Sequence, residues 1–96
     1  MVGLTKSAAK EAGPHGVRVN AVAPGPIATR MIDTLATGLA PEDPSGAAGR
    51  EILTSMTPIG RYGAAEEVAR VIAFLCAPAS SYVNGAVWTV DGGQVA

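Results

Sequence analysis

Along this chain the spacing of apolar residues changes several times, and each change predicts an element. Val2 to Ala12 is dominated by the good helix formers Ala, Lys and Leu and runs into Gly13-Pro14. Proline has no amide hydrogen and disfavours helix in the residue before it, so a helix ends near Ala12. Val17 to Ala23 mixes β-branched residues with a polar pair between Gly16 and Pro24-Gly25, which predicts a strand. Pro24, Gly25 and Pro26 then force a sharp turn. From Met31 to Thr57 contrast is low, and Ala, Gly, Thr, Pro and Ser with scattered charges read as a long loop with short helical pieces. Periodicity returns over Ala64 to Ala77, where Val68, Val71, Ile72 and Leu75 lie three and four apart on one helical face. Glu66 and Glu67 fall in its first turn, where a carboxylate stabilises the helix dipole by about 0.3–1 kcal/mol. Pro78 stops the helix, and Ala86 to Val90 reads as a second strand closed by Asp91-Gly92-Gly93.

Strand, long crossover, helix, strand implies a parallel pairing, and parallel sheets are normally buried on both faces by helices. Two strands are too few for that, and no internal repeat supplies more. The first helix also begins without a Ser, Thr, Asp or Asn cap ahead of it. The expectation is therefore a helix that is cut rather than started, with the missing strands elsewhere. Ala8, Ala9 and Ala12 give that helix a small-residue surface suited to close packing.

Composition narrows the function classes. With 48% apolar residues in 96, the chain is a candidate for one packed unit. A net charge of −1 without clustered Lys or Arg argues against nucleic acid as a partner. The lack of a signal pattern or of about 20 consecutive apolar residues argues against a membrane and makes cytoplasmic the expected location. Cys76, the single cysteine, sits in an apolar run and reads as a buried, inert thiol. One Cys and one His, His15, are too few for a metal site, and no serine has a nucleophile elbow around it.

Chemistry concentrates where the first strand ends, at Asn20-Ala21-Val22-Ala23-Pro24-Gly25-Pro26-Ile27-Ala28-Thr29. In open α/β sheets, ligands bind at the carboxyl edge of the strands. Gly25 would let a flat ring approach the backbone, the prolines would hold the turn, and the Ile27 amide and carbonyl could pair with a ligand amide. A tight surface turn with no ligand is the alternative explanation of the same residues.

The run Val17 to Thr29 is followed in order by Pro58-Ile59-Gly60-Arg61, Glu67-Val68-Ala69, Phe74-Leu75, Tyr82-Val83-Asn84-Gly85 and Val90-Asp91-Gly92-Gly93. Taken together these blocks resemble the short-chain dehydrogenase/reductase family, most of all its bacterial 3-oxoacyl-acyl-carrier-protein reductases, and they cover nearly the whole chain. The resemblance implies an α/β fold, the C-terminal part of a Rossmann-type doubly wound parallel sheet, incomplete, with two strands, flanking helices and a substrate loop at about 31–57. It implies NAD or NADP as cofactor, a small-molecule carbonyl or alcohol as substrate, and a homo-oligomer in the full-length parent. It further implies that Pro24 and Gly25 line the nicotinamide, that the Ile27 backbone pairs with its carboxamide, and that Thr29 reaches the amide or the pyrophosphate.

The departures bear on activity. The family's cofactor loop needs Gly-x-Gly, which this sequence lacks, and its proton donor is a Tyr followed four positions later by a Lys. Here Tyr62 is followed at that spacing by Glu66 and Tyr82 by Ala86. Matching Gly3-Leu4-Thr5-Lys6 to the family puts both catalytic residues just upstream of Met1, while Lys6 and Lys10 read as a solvated helix face. No catalytic residue is therefore expected in this chain, and by itself it is expected to be inactive. A non-catalytic dimerisation or interaction fragment, or a truncated gene model without independent function, are the alternative readings.

Overall fold

Helix α1 spans Val2–Ala12 and strand β1 Ala21–Pro24, in a computed structural model that describes residues 2–96. There follow α2 (Arg30–Leu39), α3 (Ala47–Ser55), α4 (Ala65–Cys76) and β2 (Val87–Val90), with 3-10 turns at Gly13–His15 and Pro78–Ser80. The two strands pair in parallel, Ala21 with Val87 through Pro24 with Val90, so both carboxyl ends finish side by side. This is the α/β arrangement expected from the strand–crossover–strand order.

The β1 ladder is shorter than the apolar run Val17 to Ala23. Two asparagines explain the difference, because their side chains take over backbone groups that a longer ladder would pair. Asn84 Oδ1 accepts the Val19 N–H at 3.0 Å, and Asn20 Oδ1 accepts the Ala86 N–H at 2.9 Å. Asn84 Nδ2 also donates to Ala9 O at 3.2 Å, which ties α1 to the entrance of β2. On α4, Phe74 reaches Trp88 of β2 with ring centroids 5.7 Å apart, within the range of favourable aromatic contact.

The stretch 31–57 is not the long loop with short helical pieces that its composition suggests. It forms two helices, α2 and α3, that pack on each other through the buried residues Ala36, Gly49 and Leu53. A Cβ on Gly49 would lie 2.8 Å from Ala36 Cα, so the two backbones meet closely and only glycine fits. Asp43 caps α3, its Oδ2 accepting Ala48 N–H at 3.0 Å, and the hydrogen bond from Ser45 holds its carboxyl below the usual carboxylate range.

The hairpin stands away from the sheet, and the fold is elongated at 54 × 24 × 23 Å. Its radius of gyration is 16.5 Å, against about 12.5 Å for a compact chain of this length. The accessible surface of 6313 Å² likewise exceeds the roughly 5,100 Å² of a compact monomer of this mass. Trp88 is exposed, and the valines Val19, Val22, Val87 and Val90 are only half-buried. Cys76, read from the sequence as buried, is exposed as well: it ends α4 on a side that nothing among the described residues covers.

Candidate functional site

The carboxyl ends of β1 and β2 meet at the Pro24-Gly25-Pro26 turn. Pro24 is exposed, Gly25 half-buried and Pro26 buried. Gly25 N–H continues the ladder by donating to Val90 O at 3.0 Å. A Cβ built on Gly25 would fall 2.7 Å from Asp91 Cβ and 2.8 Å from Asp91 Cα, distances that real side chains do not tolerate. Glycine is thus required here by the neighbouring strand, a packing reason additional to any ligand and one that the sequence does not display. Asp91 is itself fixed, its carboxylate accepting Gly93 N–H at 3.0 Å and Val95 N–H at 3.2 Å.

Past the turn, Ile27 forms a parallel bridge with Gly63. Gly63 N–H donates to Pro26 O at 2.9 Å, and Ala28 N–H donates to Gly63 O at 2.8 Å. In a parallel bridge the central residue lends neither of its own peptide groups to that partner. Ile27 N–H and C=O therefore point away from Gly63, and no hydrogen bond among the described residues uses either. A donor and an acceptor on the same residue of an extended segment complement a carboxamide, which offers an N–H and a carbonyl. On its other side the Ile27 side chain packs over Gly63, where a Cβ would come within 2.8 Å of Ile27 Cδ1.

Thr29 begins α2. Its backbone is extended and its Oγ1 accepts the Ile32 N–H at 3.3 Å, so the hydroxyl is an N-cap. The side chain remains exposed, and its O–H makes no hydrogen bond of its own among the described residues. The structure thus brings Pro24, Gly25, Ile27 and Thr29 together at one edge of the sheet.

A clamp missed at the sequence level holds this edge. Arg61 donates two bonds to Glu67, Nη1 to Oε1 at 2.8 Å and Nη2 to Oε2 at 3.2 Å, while Ala64 N–H donates to Oε1 at 2.9 Å. The Arg61 guanidinium first, and then the Ala64 amide, pull the Glu67 carboxyl down to about 2. Glu67 is therefore more than a complement to the α4 dipole: it locks the loop that carries Gly63. The legible signal was Arg61 lying six residues ahead of an acid in a first turn. Between this clamp and Asp91 lies an open cavity of about 540 Å³, floored by Pro26 and Ile27. Gly63 and Glu67 line it, whereas Pro24, Gly25 and Thr29 do not. Tyr62, beside the clamp, buries its hydroxyl without a hydrogen-bond partner, and burial pushes that phenol up. Among the described residues no cluster of His, Cys, Asp or Glu could hold a metal ion, and no helix is long and apolar enough to cross a membrane.

Residues 1–94 match a family profile described as enoyl-(acyl carrier protein) reductase. The chain is 47% identical over 96 residues to levodione reductase of Leifsonia aquatica, covering 100% of this chain and 35% of that protein. It is also 47% identical over 95 residues to 3-oxoacyl-acyl-carrier-protein reductase of Thermotoga maritima, covering 99% and 35% respectively. Among solved structures, levodione reductase superposes with a TM-score of 0.85 over 97% of this chain and 35% of its own. An Agrobacterium tumefaciens protein provisionally identified as a 2-deoxy-D-gluconate 3-dehydrogenase, solved with bound NADP, superposes with a TM-score of 0.79 at 38% identity, over 98% of this chain and 35% of its own. The chain thus spans about a third of the length of these relatives.

Proposed function

The chain belongs to the short-chain dehydrogenase/reductase family, and we propose that it supplies the carboxyl-terminal third of an NAD(P)-dependent oxidoreductase acting on a carbonyl or alcohol. The observation that carries this reading is the Ile27 peptide, whose N–H and C=O are left free by the Gly63 bridge at the carboxyl edge of the sheet. When bound, the nicotinamide would give or accept the hydride. Ile27 holds the carboxamide through both peptide groups, which fixes the ring's rotation. Pro24 offers it an exposed apolar surface, Gly25 keeps the edge low, and Thr29 donates its hydroxyl to the amide or the pyrophosphate. Preorganised contacts of this kind lower the entropic cost of bringing reacting groups into line.

Proton transfer falls to residues outside these 96, because neither tyrosine is followed by a lysine at the family spacing and no Gly-x-Gly loop is present. The chain by itself therefore gives no turnover, since loss of a positioned general acid typically costs about 10²- to 10⁴-fold. The half-buried sheet face and the excess surface favour a longer protein that covers them over an independent monomeric fragment, and we place that full-length protein in the cytoplasm as a homo-oligomer. The test is a fluorescence titration with NADH and NADPH, followed by turnover on a carbonyl panel, for the full-length protein and for residues 1–96. Cofactor binding and turnover by the former alone are expected. Robust turnover by the 96-residue chain, or no cofactor binding by the full-length protein, would overturn the proposal.

A further inference from the structure

Resting on the cofactor site proposed above, we infer that Arg61 and Glu67 are positioning residues for the nicotinamide carboxamide and act on it through the peptide units on either side of Gly63. In a planar trans peptide C=O and N–H point opposite ways, so holding one end aims the other. Arg61 Nη1 donates to Tyr62 O at 2.9 Å. The opposite end of that peptide is Gly63 N–H, which donates to Pro26 O at 2.9 Å, and opposite the Pro26 carbonyl stands Ile27 N–H. Glu67 Oε1 accepts Ala64 N–H at 2.9 Å. Behind that amide stands Gly63 O, which accepts Ala28 N–H at 2.8 Å, and behind Ala28 N–H stands Ile27 C=O. One line of contacts thus runs from Arg61 to the Ile27 donor and a second from Glu67 to the Ile27 acceptor. The ion pair joins them at their origin, because Arg61 Nη1 also donates to Glu67 Oε1 at 2.8 Å.

Such control is needed because the loop itself is permissive. Gly60 sits at φ 83° and Gly63 has no side chain, so Arg61 and Tyr62 lie between two residues of wide conformational freedom. The far end of the loop is tied down separately, with Ile59 N–H donating to Gly92 O at 3.2 Å and Gly60 N–H to Thr57 O at 2.9 Å. What remains to be set is the orientation of the Gly63 peptides, and there the side chains of Arg61 and Glu67 supply the contacts opposite Pro26 and Ala28. Arg61 and Glu67 are 57% and 39% exposed, and an exposed ion pair adds little to overall stability. Its effect falls on direction instead. A hydrogen bond weakens steeply once it bends, so a carboxamide keeps both bonds to Ile27 only while both groups hold their aim. Both residues therefore act through Ile27 rather than on the cofactor itself.

The test uses the full-length protein, titration calorimetry with NADH and NADPH, and the reduced 3-acetylpyridine analogue of whichever cofactor binds. That analogue carries a methyl in place of the carboxamide amino group, so it keeps the carbonyl that Ile27 N–H meets and lacks the N–H that Ile27 C=O accepts. Glu67→Ala should weaken binding of the natural cofactor roughly two- to five-fold, the worth of an ordinary hydrogen bond, and should weaken the analogue less. Arg61→Ala should weaken both, because the contact that it aims is present in both. Glu66→Ala, which removes the neighbouring carboxylate of the same helical turn and leaves the ion pair whole, should change neither. Melting temperatures recorded beside the titrations confine the comparison to folded protein. An equal loss for cofactor and analogue in Glu67→Ala would show general loosening, and wild-type affinity in either clamp variant, or a loss of the same size in Glu66→Ala, would likewise overturn the inference. A wild type that binds neither cofactor, or that binds the analogue as tightly as the cofactor itself, would instead remove the carboxamide site, and the inference with it.

Discussion

Thr29 carries two duties, and substitution separates them. Its Oγ1 accepts Ile32 N–H as the N-cap of α2, while the exposed hydroxyl is assigned to the cofactor. In the full-length protein Thr29→Ala loses both. Removal of an N-cap costs about 0.5–2 kcal/mol of stability, and one lost neutral hydrogen bond of about 0.5–1.5 kcal/mol weakens NAD(P)H binding roughly two- to twelve-fold. Thr29→Ser keeps both functions. Thr29→Asp is the informative variant: aspartate is as good a cap as serine, so the melting temperature should stay near that of Thr29→Ser. Its carboxylate, however, cannot donate and repels a dinucleotide phosphate, so affinity should fall further than in Thr29→Ala. Thermal denaturation and fluorescence titration of the three variants read the two effects independently. Equal cofactor affinity in Thr29→Asp and Thr29→Ser would show that the hydroxyl faces no cofactor and that Thr29 is a cap alone.

Other residues give sharper structural outcomes. Gly25→Ala places a methyl against Asp91 and should lower stability by about 1–3 kcal/mol, seen as a reduced denaturant midpoint; a variant as stable as wild type would contradict the close approach of the two strand ends. Glu67→Gln should make acid unfolding less steep. Because the native Glu67 carboxyl is held at about 2 against an ordinary 4.5, its contribution is present above pH 4.5 and is lost as pH falls toward 2. Unfolding monitored from pH 6 to 2 should accordingly differ between wild type and variant above pH 4.5 and converge at the acid end, and parallel curves would refute the clamp. Tyr62→Phe removes a buried hydroxyl that has no partner, so stability should rise by about 1 kcal/mol. A loss of that size on calorimetry would mean that the hydroxyl is bonded after all.

What could be read from the sequence divides along physical lines. Helix α4 was legible because Val68, Val71, Ile72 and Leu75 repeat at helical spacing between an acidic first turn and Pro78. The parallel pairing followed from element order. Strand ends were not legible, because Asn20 and Asn84 cap the ladder through side-chain bonds across some 65 residues of sequence, and no local pattern announces such pairs. The α2–α3 hairpin was hidden for a different reason. Its seam is made of Ala36 and Gly49, which carry little hydrophobic signal, although Met31, Leu35 and Leu39 already lay four apart within the apparent loop. Small residues let helices touch through their backbones, and the larger apolar residues that a pattern search rewards are then left facing outward.

The same logic governs the candidate site. Pro24-Gly25-Pro26 could be singled out by composition, but the reason for the glycine is Asp91, sixty-six positions later and adjacent only because β1 and β2 are parallel. The free Ile27 peptide likewise depends on Gly63 bonding to Pro26 and Ala28 rather than to Ile27, and Gly63 is held in turn by the Arg61–Glu67 clamp. Each local feature of the edge is fixed by a partner from a distant part of the chain. Loosening the clamp should therefore disturb the Ile27 bridge as well as α4. It follows that Glu67→Gln, which touches no proposed ligand atom, should still weaken cofactor binding, and by less than Thr29→Asp. If titration of the folded variant returned the wild-type affinity, the clamp would stabilise the edge without orienting it.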